Sequence, residues 1–177
     1  MFTRSGIACL YLSNVQALAI DNMGLFLHCF SRGHETLKVE VLHILSDIFM
    51  VHGMGFLSEE TVKPESIIST WTKALKSEDE PEVAAAAAES LAKLMLASVV
   101  TEDEVLKVLV ETYFDPSSAE NNPLKQALSY FFPVYCHSVP ENQYRMANVQ
   151  ASVTPLTLGC GLGNSFDVAY CRGFGGR

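Results

Sequence analysis

The sequence predicts an all-α protein that consists of about three helical hairpins and a non-helical C-terminal tail. The first observation is a periodicity of apolar residues that recurs three times with spacings of 4, 4 and 3, which places them on one face of a helix. The second is that Gly, Pro, Asn and acidic residues cluster between these segments, as they do in turns. The three series are Leu37-Val41-Leu45-Ile48, Val83-Ala87-Leu91-Leu94 and Leu124-Leu128-Phe132-Tyr135.

The interval between these series indicates the class of fold. The second series starts 46 residues after the first, and the third starts 41 residues after the second. A period in the forties with two helices per period is the size of a HEAT or armadillo unit. We therefore expect a HEAT-type α-solenoid over residues 1–148.

A partner helix is expected before each series. The three partner segments are residues 14–30, 67–76 and 105–114. Residues 6–13 are interpreted as the end of an earlier helix, and residues 140–149 as the first turns of a fourth pair. The chain therefore contains about three hairpins with a helical fragment at each end.

Several boundaries have a local chemical signal. Pro81 fits the first turn of a helix, where its missing N–H is not needed. Residues 101–104, TEDE, have the pattern of a capping box, with Thr101 and Glu104 three positions apart. Asn121 precedes an Asn-Pro pair that predicts the start of the third periodic helix, and the HGMG segment at 52–55 predicts the end of the first.

Five consecutive alanines occupy residues 84–88 of the second periodic helix. Alanine has the highest intrinsic helix propensity, so the run favours helix formation by itself. In a stacked array, however, an inner helix touches its own partner and both neighbouring repeats. We expect the alanines to allow close packing on more than one side of this helix.

An aromatic run, YFFPVY, occupies residues 130–135. Most of these rings are expected in the core, because they lie on a periodic helix. The run is too continuous for every ring to face inward, so one or two rings could dock a partner peptide. Pro133 is expected to kink the helix.

The charge is acidic and unevenly distributed. The net charge is −8, and residues 59–120 contain 14 acidic and 5 basic side chains. An acidic surface repels phosphate, so this segment is not expected to form a DNA groove. Acidic residues at 59–60 and 102–104 are interpreted as helix-start residues that complement the macrodipole. No apolar stretch is long enough to predict a membrane span.

No arrangement of residues predicts catalysis or a cofactor. The five cysteines include no CxxC pair, which favours reduced thiols. A zinc site formed by the dipeptides His28-Cys29 and Cys136-His137 is disfavoured, because adjacent helix positions point about 100° apart. His34 and His43 are interpreted as helix-start and helix-surface residues. We therefore predict a non-enzyme without metal or cofactor, and the sequence identifies no partner-binding residue.

The tail differs in composition from the rest of the chain. Residues 149–177 contain six of the 11 glycines and show no helical periodicity. Its glycines do not form GxGxxG, so a dinucleotide site is not indicated. We interpret residues 149–177 as a disordered tail, or as an artefact of a misread exon boundary.

Three segments resemble one known family. Residues 25–53, LFLHCFSRGHETLKVEVLHILSDIFMVHG, are similar to the HEAT array of the condensin non-SMC subunit 3 family, the G-type subunits. Residues 82–96, EVAAAAAESLAKLML, and 113–147, with FDP, LSYFFPVY and PENQ in order, are similar to later segments of that array. The resemblance covers residues 6–148 and stops near Val149. Family members are several times longer, so the chain resembles a fragment or truncated form.

The resemblance implies a function that periodicity alone does not. Members are HEAT-repeat scaffolds that bind the kleisin subunit and, with SMC ATPases, compact mitotic chromosomes. They hold double-stranded DNA through a basic groove, which is not recognisable in this acidic segment. A nuclear and chromosomal location with a cytoplasmic pool is implied. The alternative is a general HEAT or armadillo adaptor of another complex, without catalytic activity.

Overall fold

The computed structural model describes the backbone of residues 4–55, 57, 63–77 and 79–157, with side chains from residue 17 to residue 153 of that part. Within it the chain forms seven α-helices and one short 3₁₀ helix. The α-helices are α1 (Arg4–Arg32), α2 (Glu35–His52), α3 (Pro64–Leu75), α4 (Pro81–Leu96), α5 (Asp103–Phe114), α6 (Asn122–Ser138) and α7 (Pro140–Thr157), and the 3₁₀ helix is Pro116–Ser118.

The helices form two layers. One layer contains α2, α4 and α6, in which α4 packs between the other two. The other layer contains α3, α5 and α7, with α5 in contact with both α3 and α7. Helix α1 packs against α2 to complete the first hairpin. Each hairpin therefore contacts the next one along the chain, which is the architecture of a HEAT-type solenoid. The predicted fold class of about three hairpins is confirmed.

The alanine run of α4 lies at the centre of this arrangement. Ala84, Ala86, Ala87 and Ala88 are all buried, and α4 contacts α2, α3 and α6. A larger side chain at these positions would separate the helices that meet there. The expectation that the alanines allow packing on more than one side is confirmed.

A continuous apolar core lies between the layers. Trp71 of α3 packs against Phe49 of α2, with ring centroids 5.9 Å apart. Further along, Tyr113 of α5 meets the buried ring of Phe132 edge to face at 5.4 Å. The first contact joins two successive hairpins, and the second joins the two helices of one hairpin. Burial of these rings therefore stabilises both the stack and the individual hairpin.

Glycines end two helices, one where a side chain would clash and one where the backbone has a positive φ. A Cβ on Gly33 would lie 2.3 Å from the carbonyl oxygen of Cys29, so the turn between α1 and α2 needs the missing side chain. Gly53 has a φ of 70° and donates its N–H to the carbonyl of Phe49 at 2.8 Å. This left-handed conformation confirms the predicted end of α2.

The helix starts agree with the sequence in one case and differ in another. Asn121 accepts a hydrogen bond from the N–H of Leu124 at 3.1 Å, and α6 begins directly after it, as predicted. The capping box at 101–104 is wrong. Glu102 is the N-cap of α5 and makes no side-chain cap, and its Oε2 instead accepts from the N–H of Thr101 at 3.0 Å.

Two predicted boundaries at the ends of the chain are also wrong. Residues 6–13 do not belong to an earlier helix, because α1 runs unbroken from Arg4 and no Pro or Gly interrupts it near residue 14. Helix α7 continues to Thr157, so the first part of the supposed tail is helical. Met146, Val149 and Val153 are buried on one face of α7, which packs on α5 and α6. Tertiary burial here outweighs weak local propensity. Residues 158–177 lie outside the described part.

Candidate partner-binding surface

A furrow runs along the outer side of the layer formed by α2, α4 and α6, between α4 and α6. Each of its two helices contributes residues at the same spacing of 4, 3 and 4. The α4 residues are Ala85, Glu89, Ala92 and Leu96, and the α6 residues are Pro123, Ala127, Tyr130 and Val134. These two stripes, which we call the α4/α6 furrow, face each other because both follow one side of their helix.

Short side chains form the floor of the α4/α6 furrow and larger apolar side chains form one end of it. Ala92 is buried at the floor, whereas Tyr130 is 68% exposed, Val134 55% and Leu96 40%. The volume enclosed at this end is about 450 Å³. Exposed apolar groups from two helices that face one another are more informative than scattered exposed residues, since they mark places where another surface can pack.

The other end of the furrow is acidic. A second depression of about 520 Å³ adjoins the first and shares Glu89, Pro123 and Ala127 with it. Glu82 and Glu120 also line this second depression, and both residues are exposed. The furrow therefore changes along its length from an end with carboxylates to an end with apolar side chains.

The aromatic run of α6 contributes to this surface as predicted. Phe131, Phe132 and Tyr135 are buried, whereas Tyr130 points out of the core. The expectation of a mostly buried run with one or two outward rings is confirmed. Helix α6 continues through Pro133, and the predicted kink stays a prediction.

A third cavity, of about 650 Å³, lies between the loops of the second and third hairpins. Its lining makes contacts within the fold: Lys76 pairs with Glu111 at 3.6 Å, and Ser118 donates to the carbonyl of Thr112 at 2.6 Å. Asp115 Oδ1 accepts from the N–H of Ser117 at 2.9 Å. These polar groups stabilise the loop between α5 and α6, and each named group already has a partner.

Polar contacts join successive hairpins at both edges of the solenoid. Lys38 pairs with Glu80 at 2.6 Å, and Arg145 pairs with Asp103 at 2.6 Å. Asn121 donates to the carbonyl of Pro81 at 2.8 Å. These contacts occupy cationic groups that would otherwise be available to phosphate.

Lys125 is also engaged within the fold. Its ammonium donates to the carbonyl oxygen of Tyr113 and lies 5.0 Å from the centroid of that ring. Burial lowers the pKa of Lys125, and the nearby Asp115 carboxylate opposes this effect. The side chain therefore links α6 to α5 and is not a free surface cation.

The histidines and cysteines do not assemble a site in the described part of the chain. Cys29 and Cys136 are not joined in a disulfide, and no three His, Cys, Asp or Glu side chains among the described residues could hold one metal ion. His34 is the N-cap residue of α2, in agreement with its interpretation as a helix-start residue. His43 is half-buried and lines the depression that also contains Glu82 and Glu120, so it lies at the helix surface as expected, although its Nε2 is buried without a hydrogen-bond partner among the described residues.

The furrow was missed at the level of sequence because its residues are mostly small. In the sequence, Ala85, Ala92 and Ala127 are explained equally well by core packing or by helix propensity. The furrow is indicated only by the matching 4, 3, 4 spacing in two helices that start about forty residues apart. That spacing could have been compared between the periodic helices.

The helix-start role of Asp103 and Glu104 is confirmed, whereas residues 59 and 60 lie outside the described part.

Comparison with known families and structures identifies this solenoid. Residues 3–159 match the family model described as nuclear condensing complex subunits, C-terminal domain (Cnd3). The chain belongs to this condensin subunit family. The match continues past Val149, where the resemblance in the sequence was expected to stop, and it agrees with the helical course of α7 to Thr157.

Individual relatives agree with this assignment. Condensin complex subunit 3 of Saccharomyces cerevisiae is 41% identical over 137 residues, which are 77% of this chain and 13% of the relative. Condensin complex subunit 3 of Schizosaccharomyces pombe is 34% identical over 81% of this chain and 16% of its own length. The chain therefore spans less than a fifth of these Cnd3-family relatives.

A solved structure has the same fold. The crystal structure of the S. pombe condensin Cnd3-Cnd2 subcomplex matches 89% of this chain with a TM-score of 0.75 and 30% sequence identity, over 21% of the matched chain. The α1–α7 solenoid is therefore similar in sequence and fold to part of a protein that was solved in a subcomplex with Cnd2.

Proposed function

We propose that this chain is a structural HEAT-repeat scaffold of a condensin complex, which binds the kleisin subunit and supports DNA binding and mitotic chromosome condensation. The observation that carries the proposal is the match of 89% of the chain to the Cnd3-Cnd2 subcomplex. Cnd2 is the partner in that structure, and we infer a kleisin partner of the same type here.

The fold suits a scaffold because its rigidity is distributed along the chain. Every hairpin packs on the next, and polar contacts such as Lys38 with Glu80 and Asp103 with Arg145 join neighbouring repeats. A surface made of stacked helices therefore keeps its shape over several repeats. A partner that lies along it can make many contacts without a large ordering cost to the scaffold.

We propose that double-stranded DNA is held by the complex and not by this segment. The net charge is −8, and Lys38, Lys76, Lys93 and Arg145 each pair with a carboxylate. Binding of a phosphate backbone by these four residues would require them to leave their partners, and the acidic net charge would oppose it.

The remaining elements of the proposal follow from the same family. The chain has no catalytic activity and needs no cofactor, and its further partners are the SMC ATPases. It acts in the nucleus and on chromosomes, with a cytoplasmic pool. No helix in the part that the structure describes is long and apolar enough to cross a membrane. The general adaptor alternative is disfavoured, because the family match spans residues 3–159 and names condensing complex subunits.

The proposal is tested by affinity purification of the endogenous protein from dividing cells, followed by mass spectrometry of the retained proteins. Recovery of two SMC ATPases and a kleisin subunit is expected. An untagged strain and a tagged, unrelated HEAT protein are the controls for background binding. Recovery of the chain without any of these subunits would contradict the proposal. It would favour the alternative of a general HEAT or armadillo adaptor of another complex.

A further inference from the structure

No element in the described part of the chain covers the α4/α6 furrow. Its apolar end presents Leu96, Tyr130 and Val134 to solvent, although a hydrophobic core lies directly beneath. Other exposed apolar residues, such as Leu25 and Tyr144, occur on α1 and α7 and do not line the depressions of the furrow. The furrow therefore combines exposed apolar area with a concave shape.

The surface favours a helical ligand over an extended one. The walls are α-helices, whose backbone N–H and C=O groups are paired within each helix, so they offer no main-chain hydrogen bonds to an extended peptide. Gln126 supplies a side-chain amide beside the furrow, and Asn121 is already occupied by Leu124 and Pro81. A helix satisfies its own backbone and needs only apolar contacts.

The dimensions agree with a helix of about three turns. The α4 stripe extends from Ala85 to Leu96, which is about 17 Å at a rise of ~1.5 Å per residue. The alanines at the floor allow a close approach of another helix, while Tyr130 and Leu96 form the sides at one end. Apolar residues of the ligand at positions i, i+3 or i+4, and i+7 would fill the depressions.

The charge of the furrow indicates which charged residues the bound helix should carry and at which end. Glu82 and Glu120 line one end and have no ion-pair partner among the described residues. Glu89, at the middle, pairs with Lys93 at 2.8 Å and is therefore partly neutralised. Complementarity requires Lys or Arg on the ligand near Glu82 and Glu120, and apolar residues near Tyr130.

We propose that the α4/α6 furrow receives an amphipathic helix of the Cnd2-type kleisin subunit, with a basic residue at the Glu82 and Glu120 end and an apolar stripe against Leu96, Tyr130 and Val134. This inference rests on the proposed function, because it takes the kleisin subunit as the partner. It adds the face that binds, the conformation of the bound segment and its orientation.

The test uses the complete 177-residue chain and the full-length kleisin subunit. A photo-reactive p-benzoyl-phenylalanine replaces Tyr130 in one variant and Tyr144, which is 74% exposed on α7, in a control variant. Irradiation is expected to cross-link the kleisin at position 130 and not at position 144. Mass spectrometry of the cross-link identifies the bound segment, which is expected to have apolar residues at helical spacing beside Lys or Arg.

Affinities of point variants give an independent readout. Tyr130→Ala is expected to raise the Kd by about 5- to 30-fold, while the control Tyr144→Ala changes it less than about twofold. Glu120→Lys is expected to weaken binding by about 2- to 10-fold at low salt and less at high salt, and Glu141→Lys on α7 is its control. All four side chains are exposed, so circular dichroism and thermal unfolding should match the unmodified chain.

The outcomes separate this inference from the proposed function. If the unmodified chain binds the kleisin but Tyr130→Ala binds equally well and cross-links arise only elsewhere, the furrow assignment is overturned and the scaffold proposal stands. A cross-linked segment without helical apolar spacing overturns the helical ligand. If the unmodified chain does not bind the kleisin, the proposed function fails and this inference fails with it.

Discussion

Arg145 donates from Nε to Oδ1 of Asp103 over 2.6 Å, and the two residues are separated by 42 positions in the chain. Lys38 and Glu80, which pair at 2.6 Å, are separated by the same interval. The Lys38–Glu80 pair lies at the edge where α2 and α4 begin, and the Arg145–Asp103 pair lies at the opposite edge, where α4 ends and α5 begins. The interval agrees with the period that the apolar series predict, so the ion pairs are features of the repeat.

Removing the charge of Arg145 is expected to weaken the contact between α5 and α7. Its guanidinium also donates to the carbonyl oxygen of Thr101, so two contacts are lost together. We expect Arg145→Met to lower the free energy of unfolding by about 0.5–1.5 kcal/mol, because the Asp103 side chain is 63% exposed and water screens the pair. Urea unfolding with a double-mutant cycle that includes Asp103→Asn measures the coupling. A coupling near zero would contradict this account.

The buried alanines of α4 are expected to leave no room for larger side chains. Ala87 is fully buried, and its helix contacts three others. Ala87→Leu is expected to lower the melting temperature by about 2–12 °C, since overpacking costs about 1–3 kcal/mol. Differential scanning calorimetry measures the shift. Ala147→Leu, at an exposed position of α7, is the matched control and should unfold like the unmodified chain.

Asn121 combines a helix cap with a contact between repeats. Its Oδ1 accepts from the N–H of Leu124 and its Nδ2 donates to the carbonyl of Pro81. We expect Asn121→Ala to destabilise the fold by about 1–2 kcal/mol, because both groups lose a partner. Asn122→Ala is the control, as Asn122 is exposed at the first position of α6. Equal stability of the two variants in urea unfolding would disprove the capping role.

Ionisation of the Tyr135 phenol is expected to change the stability of the fold at alkaline pH. Burial raises the pKa of its phenol, Arg145 lowers it to a smaller extent, and the hydroxyl has no hydrogen-bond partner among the described residues. In the unfolded chain this pKa is near 10.0, so above that pH the folded state holds a proton that the unfolded state has lost. The free energy of unfolding should therefore fall as pH rises past 10.

The variant Tyr135→Phe removes this titration and the unpaired hydroxyl together. At neutral pH we expect its stability to equal or slightly exceed that of the unmodified chain, by about 0–1 kcal/mol. The alkaline loss of stability should be smaller in the variant. Thermal unfolding between pH 7 and about 11 measures both effects. Identical pH profiles for the two proteins would argue against the burial of an ionisable phenol at this position.

The helical course of α7 past residue 148 gives a further prediction. Val153 is buried, although it lies in the segment that composition suggests is a tail. Val153→Ala is expected to reduce the free energy of unfolding by about 1.5–3 kcal/mol, from lost burial and a residual cavity. Asn148→Ala, at an exposed position of the same helix, serves as the control. If Val153→Ala unfolds like the control, the end of α7 does not contribute to the core.

Local chemistry explains why much of the fold was predictable. The 4, 4, 3 series locate α2, α4 and α6, and Pro81, Gly53 and Asn121 mark boundaries within a few residues of those observed. These signals act within one or two helical turns, so they can be read without knowing the neighbours. The buried and exposed positions of the aromatic run follow from the same periodicity.

Other features depend on partners that are remote in sequence. The capping box at 101–104 was a reasonable pattern, yet Arg145 from α7 engages Asp103 and the carbonyl of Thr101 there. The end of α7 was hidden because Val149 and Val153 gain stability from α5 and α6 and not from their own propensity.

The sequence by itself determined an all-α solenoid, its repeat length, its acidic charge and its resemblance to condensin subunits, since these depend on periodicity, composition and motifs along one chain. Only the tertiary structure decided that Ala85, Ala92, Ala127 and Tyr130 line one furrow, and that Asp103 meets Arg145. The physical reason is distance: helix formation is governed by groups a few residues apart, whereas a surface between helices exists only after segments about forty residues apart have packed together.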